Sequence, residues 1–111
     1  MRINQPQNFT ERRALREVLR ERLAQTAKSG HGDEGDDDQP IYALIERARD
    51  YTVIASENVR GTIPSANPQT AWRNGVKAAA TLLAALDSLE RRLGDRLPPE
   101  QAMADLFSGQ Q

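Results

Sequence analysis

The chain has no cysteine, only one histidine and few aromatic residues, and these shortages exclude several classes of protein. Without cysteine it can form neither a disulfide framework nor a thiolate metal site, and a reducing compartment suits it. The single histidine, His31, lacks the partners that nucleophilic or zinc-dependent catalysis requires. No P-loop, dinucleotide-binding fingerprint or nucleophile elbow occurs. We therefore expect no catalytic residue, no metal and no cofactor.

Long apolar runs are also missing. No stretch approaches the roughly 20 apolar residues that a membrane-spanning helix needs. The beginning of the chain, M-R-I-N-Q-P-Q, lacks the apolar core of a signal peptide. At 111 residues, the chain fits one small domain with a modest core and no deep active-site cavity. We expect neither membrane binding nor secretion through a signal peptide.

The net charge of −1 conceals an uneven distribution of charge along the chain. Residues 1–28 carry seven basic and three acidic side chains, whereas residues 29–40 carry five acids and no base. The remaining residues balance, with eight of each sign. This pattern divides the chain into a basic N-terminal arm and helix (1–28), a flexible acidic loop (29–39), a helical body (40–107) and a tail (108–111). An overall pI of about 5.8 argues against a nucleic-acid partner.

The strongest helix signal covers residues 67–93. Asn67 is a good N-cap, Pro68 suits the first helical position, and Gly94 is a natural stop. Helical periodicity predicts a core face, whose main members are Trp72, Val76, Ala79, Leu83 and Leu86 and which is widened by Ala80, Leu82, Leu89 and Leu93. The same periodicity predicts a polar face toward solvent, formed by Thr70, Asn74, Lys77, Thr81, Ser88 and Arg91, with Ala84 among them. Many alanines make this helix thin, which fits either ordinary core packing or a seam with another copy of the chain.

A second amphipathic helix is predicted for residues 11–28. Its narrow apolar stripe resembles a coiled-coil seam. A ridge of arginines runs along it, formed by Arg12, Arg13, Arg16 and Arg20. This ridge is either a solvated face, partly offset by Glu17 and Glu21, or a surface that contacts phosphate or an acidic protein.

Residues 29–39, S-G-H-G-D-E-G-D-D-D-Q, read as a loop because glycine and acidic residues dominate them. Their spacing does not fit a calcium-binding EF-hand, although loose binding of a divalent ion stays open. A third helix is predicted for residues 40–59, capped by Asp38 or Gln39 and stopped by Gly61. A short last helix is predicted for residues 99–107. The predicted fold is therefore all-α, a small helical bundle of three main helices plus a short C-terminal helix.

The start of the central helix offers free N–H groups beside Arg73 and Lys77. Together these groups could hold an anion, unless both side chains simply face water. The same stretch, N-P-Q-T-A-W-R-N-G-V-K, resembles the N-P-x-T-A…G-x-[KR] helix start of small virion-associated proteins of tailed bacteriophages. The resemblance covers residues 67–77 and is carried by Asn67, Pro68, Thr70, Ala71, Trp72, Gly75 and Lys77.

The resemblance implies a structural component located in a virion or in the host cytoplasm. Our leading hypothesis is a non-enzymatic helical interaction protein that assembles through its long Ala/Leu-rich helix with other copies or with a larger partner. The expected interaction residues are Arg12, Arg13, Arg16, Arg20, Trp72, Gly75 and Ala79. The alternative is a small soluble regulator that sequesters an anionic ligand or blocks a host protein.

Overall fold

The structure, a computed structural model, describes residues 12–28 and 32–101. Within these ranges the chain is all-α, as the sequence predicts, and contains no strand. Its helices are α1 (Arg13–Ala27), α2 (Asp33–Asp37), α3 (Ala43–Arg60) and α4 (Pro68–Leu93). A short 3-10 turn, Gly94–Arg96, follows α4. Helix α4 is the centre of the fold, because α1, α2 and α3 all pack against it.

Helix α4 begins and ends as predicted. The Oδ1 atom of Asn67 accepts hydrogen bonds from the backbone N–H groups of Gln69 and Thr70, at 2.8 and 3.2 Å. Pro68 occupies the first helical position, where its missing N–H has no cost. The backbone N–H of Asn67 donates to Oδ1 of the buried Asn58 at 3.1 Å. This bond ties the end of α3 to the start of α4.

Helix α3 begins three residues later than predicted. Its N-cap is Tyr42, which makes no capping bond with its side chain, and not Asp38 or Gln39. The predicted cap fails because Gln39 is engaged elsewhere: its amide donates to the Gly35 carbonyl and accepts from Arg47. The end of α3 is as predicted, since Gly61 has a φ of 70°, a left-handed conformation that glycine adopts without strain.

The buried face of α4 differs from the predicted one. The buried residues are small: Ala71, Ala78, Ala80, Thr81, Ala84, Ala85 and Ser88. Thr81 and Ser88, predicted to face solvent, lie inside, whereas Trp72 and Leu86, predicted to be core, are 42% and 54% exposed. The hydroxyls enter the interior at low cost because each is hydrogen-bonded, Thr81 with Gln25 and Ser88 with Asp37.

Part of the predicted acidic loop is helical. Residues 33–37 form α2, whose acids meet cations of the neighbouring helices. Asp33, Asp36 and Asp37 stand at helical i, i+3 and i+4 positions, so that one face of the turn carries all three. The prediction of a loop is wrong for these residues because ion pairing offsets the poor helix propensity of aspartate and glycine.

The chain beyond α4 is only partly described. Residues 97–101 are not helical, so the predicted last helix does not begin at residue 99. The rest of that predicted helix, the tail 108–111 and most of the N-terminal arm lie outside the described residues.

Candidate functional site

An apolar surface lies open between α1 and α4. We call it the Leu face and define it by Leu15 and Val18 of α1 with Ala79, Leu82, Leu83 and Leu86 of α4. These side chains line a groove of about 480 Å³, with Arg12 and Ala14 at its edge. Leu82 is 44% and Leu86 is 54% exposed, although both belong to α4, the longest of the described helices.

A second groove of about 540 Å³ continues this surface on the other side of α4. Its lining residues come from α3 and α4 and are Ile45, Ala48, Arg49, Thr52, Ala55, Gly75, Ala78, Ala79 and Leu82. Ala79 and Leu82 line both grooves and so form the ridge between them. Among the described residues, no acidic side chain lines either groove, and the charged members are Arg12 and Arg49.

The interior of the described chain is too small to hide these side chains. Its buried apolar residues are Leu44 and six alanines. Among the described residues, no large side chain is fully buried. Exposed apolar surface that is contiguous, flanked by charge and built on regular helices is typical of a protein-binding surface.

The predicted arginine ridge and the start of α4 enclose a different cleft, which we call the Trp72 cleft. This cleft has a volume of about 750 Å³ and is lined from α1 by Arg13, Glu17, Arg20, Glu21 and Ala24, and from α4 by Pro68, Gln69, Trp72, Arg73 and Val76. The guanidinium of Arg13 lies 5.0 Å from the centre of the Trp72 ring, a distance typical of a cation–π contact. Trp72 Nε1 donates to Glu17 at 3.0 Å.

Glu17 carries a negative charge among the arginines of the Trp72 cleft. Glu17 accepts hydrogen bonds from Trp72 and from Arg13, and it also forms an ion pair with Arg13. These contacts hold the pKa of Glu17 below its ordinary value. The carboxylate therefore stays ionised and offsets part of the positive charge of Arg13, Arg20 and Arg73.

The predicted anion-binding pair is divided between two depressions. Arg73 lines the Trp72 cleft, whereas Lys77 lies in a smaller cavity, with Nζ 5.9 Å from the centre of the Tyr51 ring. The backbone N–H groups of Gln69 and Thr70, at the start of this helix, are not free for an anion, because both donate to Asn67 Oδ1. Anion binding by Arg73 and Lys77 stays a prediction.

The structure distributes the predicted interaction residues over three places. Arg12 and Ala79 line the groove of the Leu face, Gly75 lines the second groove, and Arg13, Arg20 and Trp72 line the cleft. Arg16 is exposed on α1. Leu82 and Leu86, which the sequence assigns to the core, are exposed, so this assignment misses them as candidates for an interaction surface. Helical periodicity predicts correctly that this side of α4 is apolar. It does not tell whether the other helices of the chain pack against that side.

Helix α2 is fixed to the end of α4 by a cluster of charged groups. Asp37 accepts from Nε and Nη2 of Arg91, at 2.9 and 3.0 Å, and from the Ser88 hydroxyl at 2.7 Å. The Arg91 bonds, followed by the Ser88 bond, lower the pKa of Asp37 from its usual 3.8 to about 2. The bond to Asp37 in turn raises the pKa of Arg91. This fork-to-fork pairing is specific in geometry as well as in charge.

Asp37 should make part of the free energy of unfolding depend on pH. Because its pKa is lower in the folded chain, its contribution is complete above about pH 4 and is lost as the pH falls through about 2. We expect the gap in unfolding free energy between the wild type and Asp37→Asn to narrow over this range. Urea unfolding at a series of pH values measures the gap. A gap that is independent of pH would contradict the assignment.

Among the described residues, no group of three or more His, Asp or Glu side chains is arranged to hold a metal ion. None of the described helices is both long enough and apolar enough to cross a membrane. No protein-family model, curated protein or solved structure matches this chain.

Proposed function

We propose that the chain is a non-enzymatic helical interaction protein that assembles with other copies of itself through the Leu face. The exposure of Leu82 and Leu86 on a long, regular helix is the observation that carries this proposal. Apolar surface of this kind gains free energy when a partner removes it from water. The same proposal includes the complete architecture, a small bundle of three main helices plus a short C-terminal helix.

The proposed setting is a phage or phage-like particle, with the protein located in the virion or the host cytoplasm. The support for this setting is the resemblance at residues 67–77. A component of a particle needs a surface that recognises its neighbours, and the Leu face meets that need without any catalytic group.

Replacing Leu86 by Glu tests the proposed assembly. Leu86 is 54% exposed, so a carboxylate there stays hydrated in the isolated chain, but it would be buried in an interface. We expect Leu86→Glu to weaken self-association by at least about tenfold, because losing an apolar anchor and burying a charge together cost more than about 1.4 kcal/mol. Light scattering over a concentration series measures the mass.

The matched control is Leu23→Glu, at a leucine of α1 that is 69% exposed and lies outside both grooves. It should leave the mass unchanged, and circular dichroism should show native helix content in both variants. A wild-type chain that is monomeric at every concentration would overturn the proposal. Equal masses for Leu86→Glu and the wild type would do the same.

The alternative, a regulator that sequesters an anion, is favoured by one observation. Three arginines, Arg13, Arg20 and Arg73, line the Trp72 cleft together with an exposed aromatic ring. Binding of an anion to the folded chain would raise its melting temperature in proportion to the logarithm of the ligand concentration. Titration with inorganic phosphate at constant ionic strength tests this, and Arg73→Gln should abolish any rise.

A further inference from the structure

A partly enclosed cavity of about 160 Å³ lies between α1, α3 and α4. It is left open because α1 and α3 both pack against α4 and make few contacts with each other. We call it the Lys77 cavity, and its lining includes the buried side chains of Leu44, Thr81 and Ala84. None of its described lining residues belongs to the Leu face or to the second groove, so it is separate from the proposed assembly surface.

The charged residues that line the Lys77 cavity do not balance one another. Four are basic and two are acidic: Arg22, Lys28, Arg47, Lys77, Glu21 and Asp36. The described lining therefore has a surplus of two positive charges. Charges of one sign around a small cavity repel each other, and more strongly than in bulk water, because the local dielectric constant is lower. An anion with two charges would offset this surplus.

Three of these cations, one from each side of the cavity, have no counterion. Lys28 directly follows α1, Arg47 belongs to α3 and Lys77 belongs to α4. Within residues 12–28 and 32–101, none of the three forms an ion pair. Arg47 donates only to the neutral amide of Gln39, at 3.1 Å. These three side chains therefore keep their charge available for a ligand.

The two acids of the lining are held by other donors. Asp36 pairs with Arg22 at 3.3 Å, and Glu21 accepts from Gln25 at 3.4 Å. Gln25 also donates to the hydroxyl of the buried Thr81 at 3.4 Å, and a hydroxyl that accepts can still donate its own hydrogen. An oxyanion in this cavity thus meets three cations without a counterion and a hydroxyl donor, while the carboxylates are engaged elsewhere.

The volume of the Lys77 cavity limits what it can hold. Pockets for drug-sized ligands and cofactors measure about 300–1,000 Å³. A space of about 160 Å³ corresponds to about five water molecules at their liquid density. This suits a free tetrahedral oxyanion, a single central atom with its oxygens, and is too small for a nucleotide or a peptide.

We propose that the Lys77 cavity binds a small oxyanion with two negative charges, of the class of phosphate and sulfate, through Lys28, Arg47 and Lys77. An ammonium binds such an ion as a point charge, and a guanidinium can bind two of its oxygens. The bound ion connects α1, α3 and α4 and stabilises their arrangement. This inference is independent of self-assembly, and it assigns the anion of the alternative function to a different site from the Trp72 cleft.

Isothermal titration of the full chain with phosphate and with sulfate, at an ionic strength held constant with sodium chloride, tests the site. We expect one ion per chain. Lys77→Gln should raise the Kd at least about tenfold, the effect of losing a charge-assisted hydrogen bond. The matched control is Arg73→Gln, which removes the same charge from an exposed position of α4 outside the cavity. It should change the Kd less than about twofold, because solvent and salt screen that charge.

Amide chemical shifts locate the ion without any substitution. In a ¹⁵N-labelled chain titrated with phosphate, the largest shifts should occur at Tyr51, Lys77 and Thr81, and not at Gln69 or Trp72. Glycerol phosphate, whose organic part does not fit in the cavity, should bind at least about tenfold more weakly than phosphate. Equal affinities for the two would overturn a free ion as the ligand.

The outcomes separate the inference from the proposed functions. Absence of binding of both phosphate and sulfate overturns the inference. A loss of binding in Arg73→Gln but not in Lys77→Gln also overturns it, and supports the alternative function at the Trp72 cleft. The mass of the chain and its response to Leu86→Glu test self-assembly separately, so either idea can fail while the other stands. A tenfold loss in Lys77→Gln alone, with shifts around the cavity, supports the inference.

Discussion

Leu44→Ala is expected to lower the free energy of unfolding by about 2–5 kcal/mol, the usual loss for a buried leucine. Leu44 is 4% exposed and forms the buried cluster of the fold with Ala84 and Ala85. Since it is the single large apolar side chain that is buried among the described residues, no neighbour can take over its contacts. A small domain of typical stability has about 5–15 kcal/mol in all, so the variant should unfold at much lower urea concentration.

The matched control is Leu23→Ala, which removes the same atoms from a side chain that is 69% exposed. It should cost only a few tenths of a kcal/mol, within the usual range of about ±0.5 for surface substitutions. Urea unfolding followed by circular dichroism measures both variants. Similar losses at the two positions would show that the contact between α3 and α4 is not the core of the fold.

Asp36→Ala should destabilise the chain by about 3–5 kcal/mol, because it removes one partner of a buried ion pair. Oδ2 of Asp36 lies 3.3 Å from Nη2 of Arg22, and the two side chains are 5% and 12% exposed. Without Asp36, the guanidinium of Arg22, whose side chain is 12% exposed, keeps among the described residues only the more distant ion pair with Asp87, at 3.9 Å. Asp36 also places its backbone carbonyl to accept from Arg92 at 2.7 Å.

A double-mutant cycle identifies the cause of that loss. Replacing both partners, Asp36→Leu with Arg22→Met, removes the unpaired charge and should recover a substantial part of the stability. Urea midpoints of the wild type, the two single variants and the double variant give the coupling free energy. Strictly additive losses would contradict a direct interaction between Arg22 and Asp36.

The helix ends that local chemistry controls were predictable from sequence. Asn67 caps α4 with two backbone bonds, Pro68 follows it, and Gly61 ends α3 in a left-handed conformation. Each of these depends on a residue and its nearest neighbours along the chain, so a pattern of letters contains the necessary information. The start of α3 was missed because Gln39, expected to cap it, bonds to Gly35 and Arg47 instead.

The acidic segment shows what a charge count leaves out. Five acids between the basic N-terminal arm and the charge-balanced helical body were interpreted as a flexible loop, yet Asp36 is 4% exposed. The available signal was the spacing of Asp33, Asp36 and Asp37 on one helical face. Their partners, Arg22 and Arg91, are distant in sequence, and only folding brings them within bonding distance.

The sequence by itself determined the all-α class, most helix ends and the existence of an apolar stripe on α4. The tertiary structure alone decided which stripe the chain covers. In α4 the small residues face α1, α2 and α3, where Thr81 and Ser88 find hydrogen-bond partners, and Leu82 and Leu86 remain outside. Helical periodicity records that a face is apolar, but burial depends on which other elements exist to pack against it. In the described part of this chain those elements cover one side of α4, and Leu82 and Leu86 stay exposed on the other.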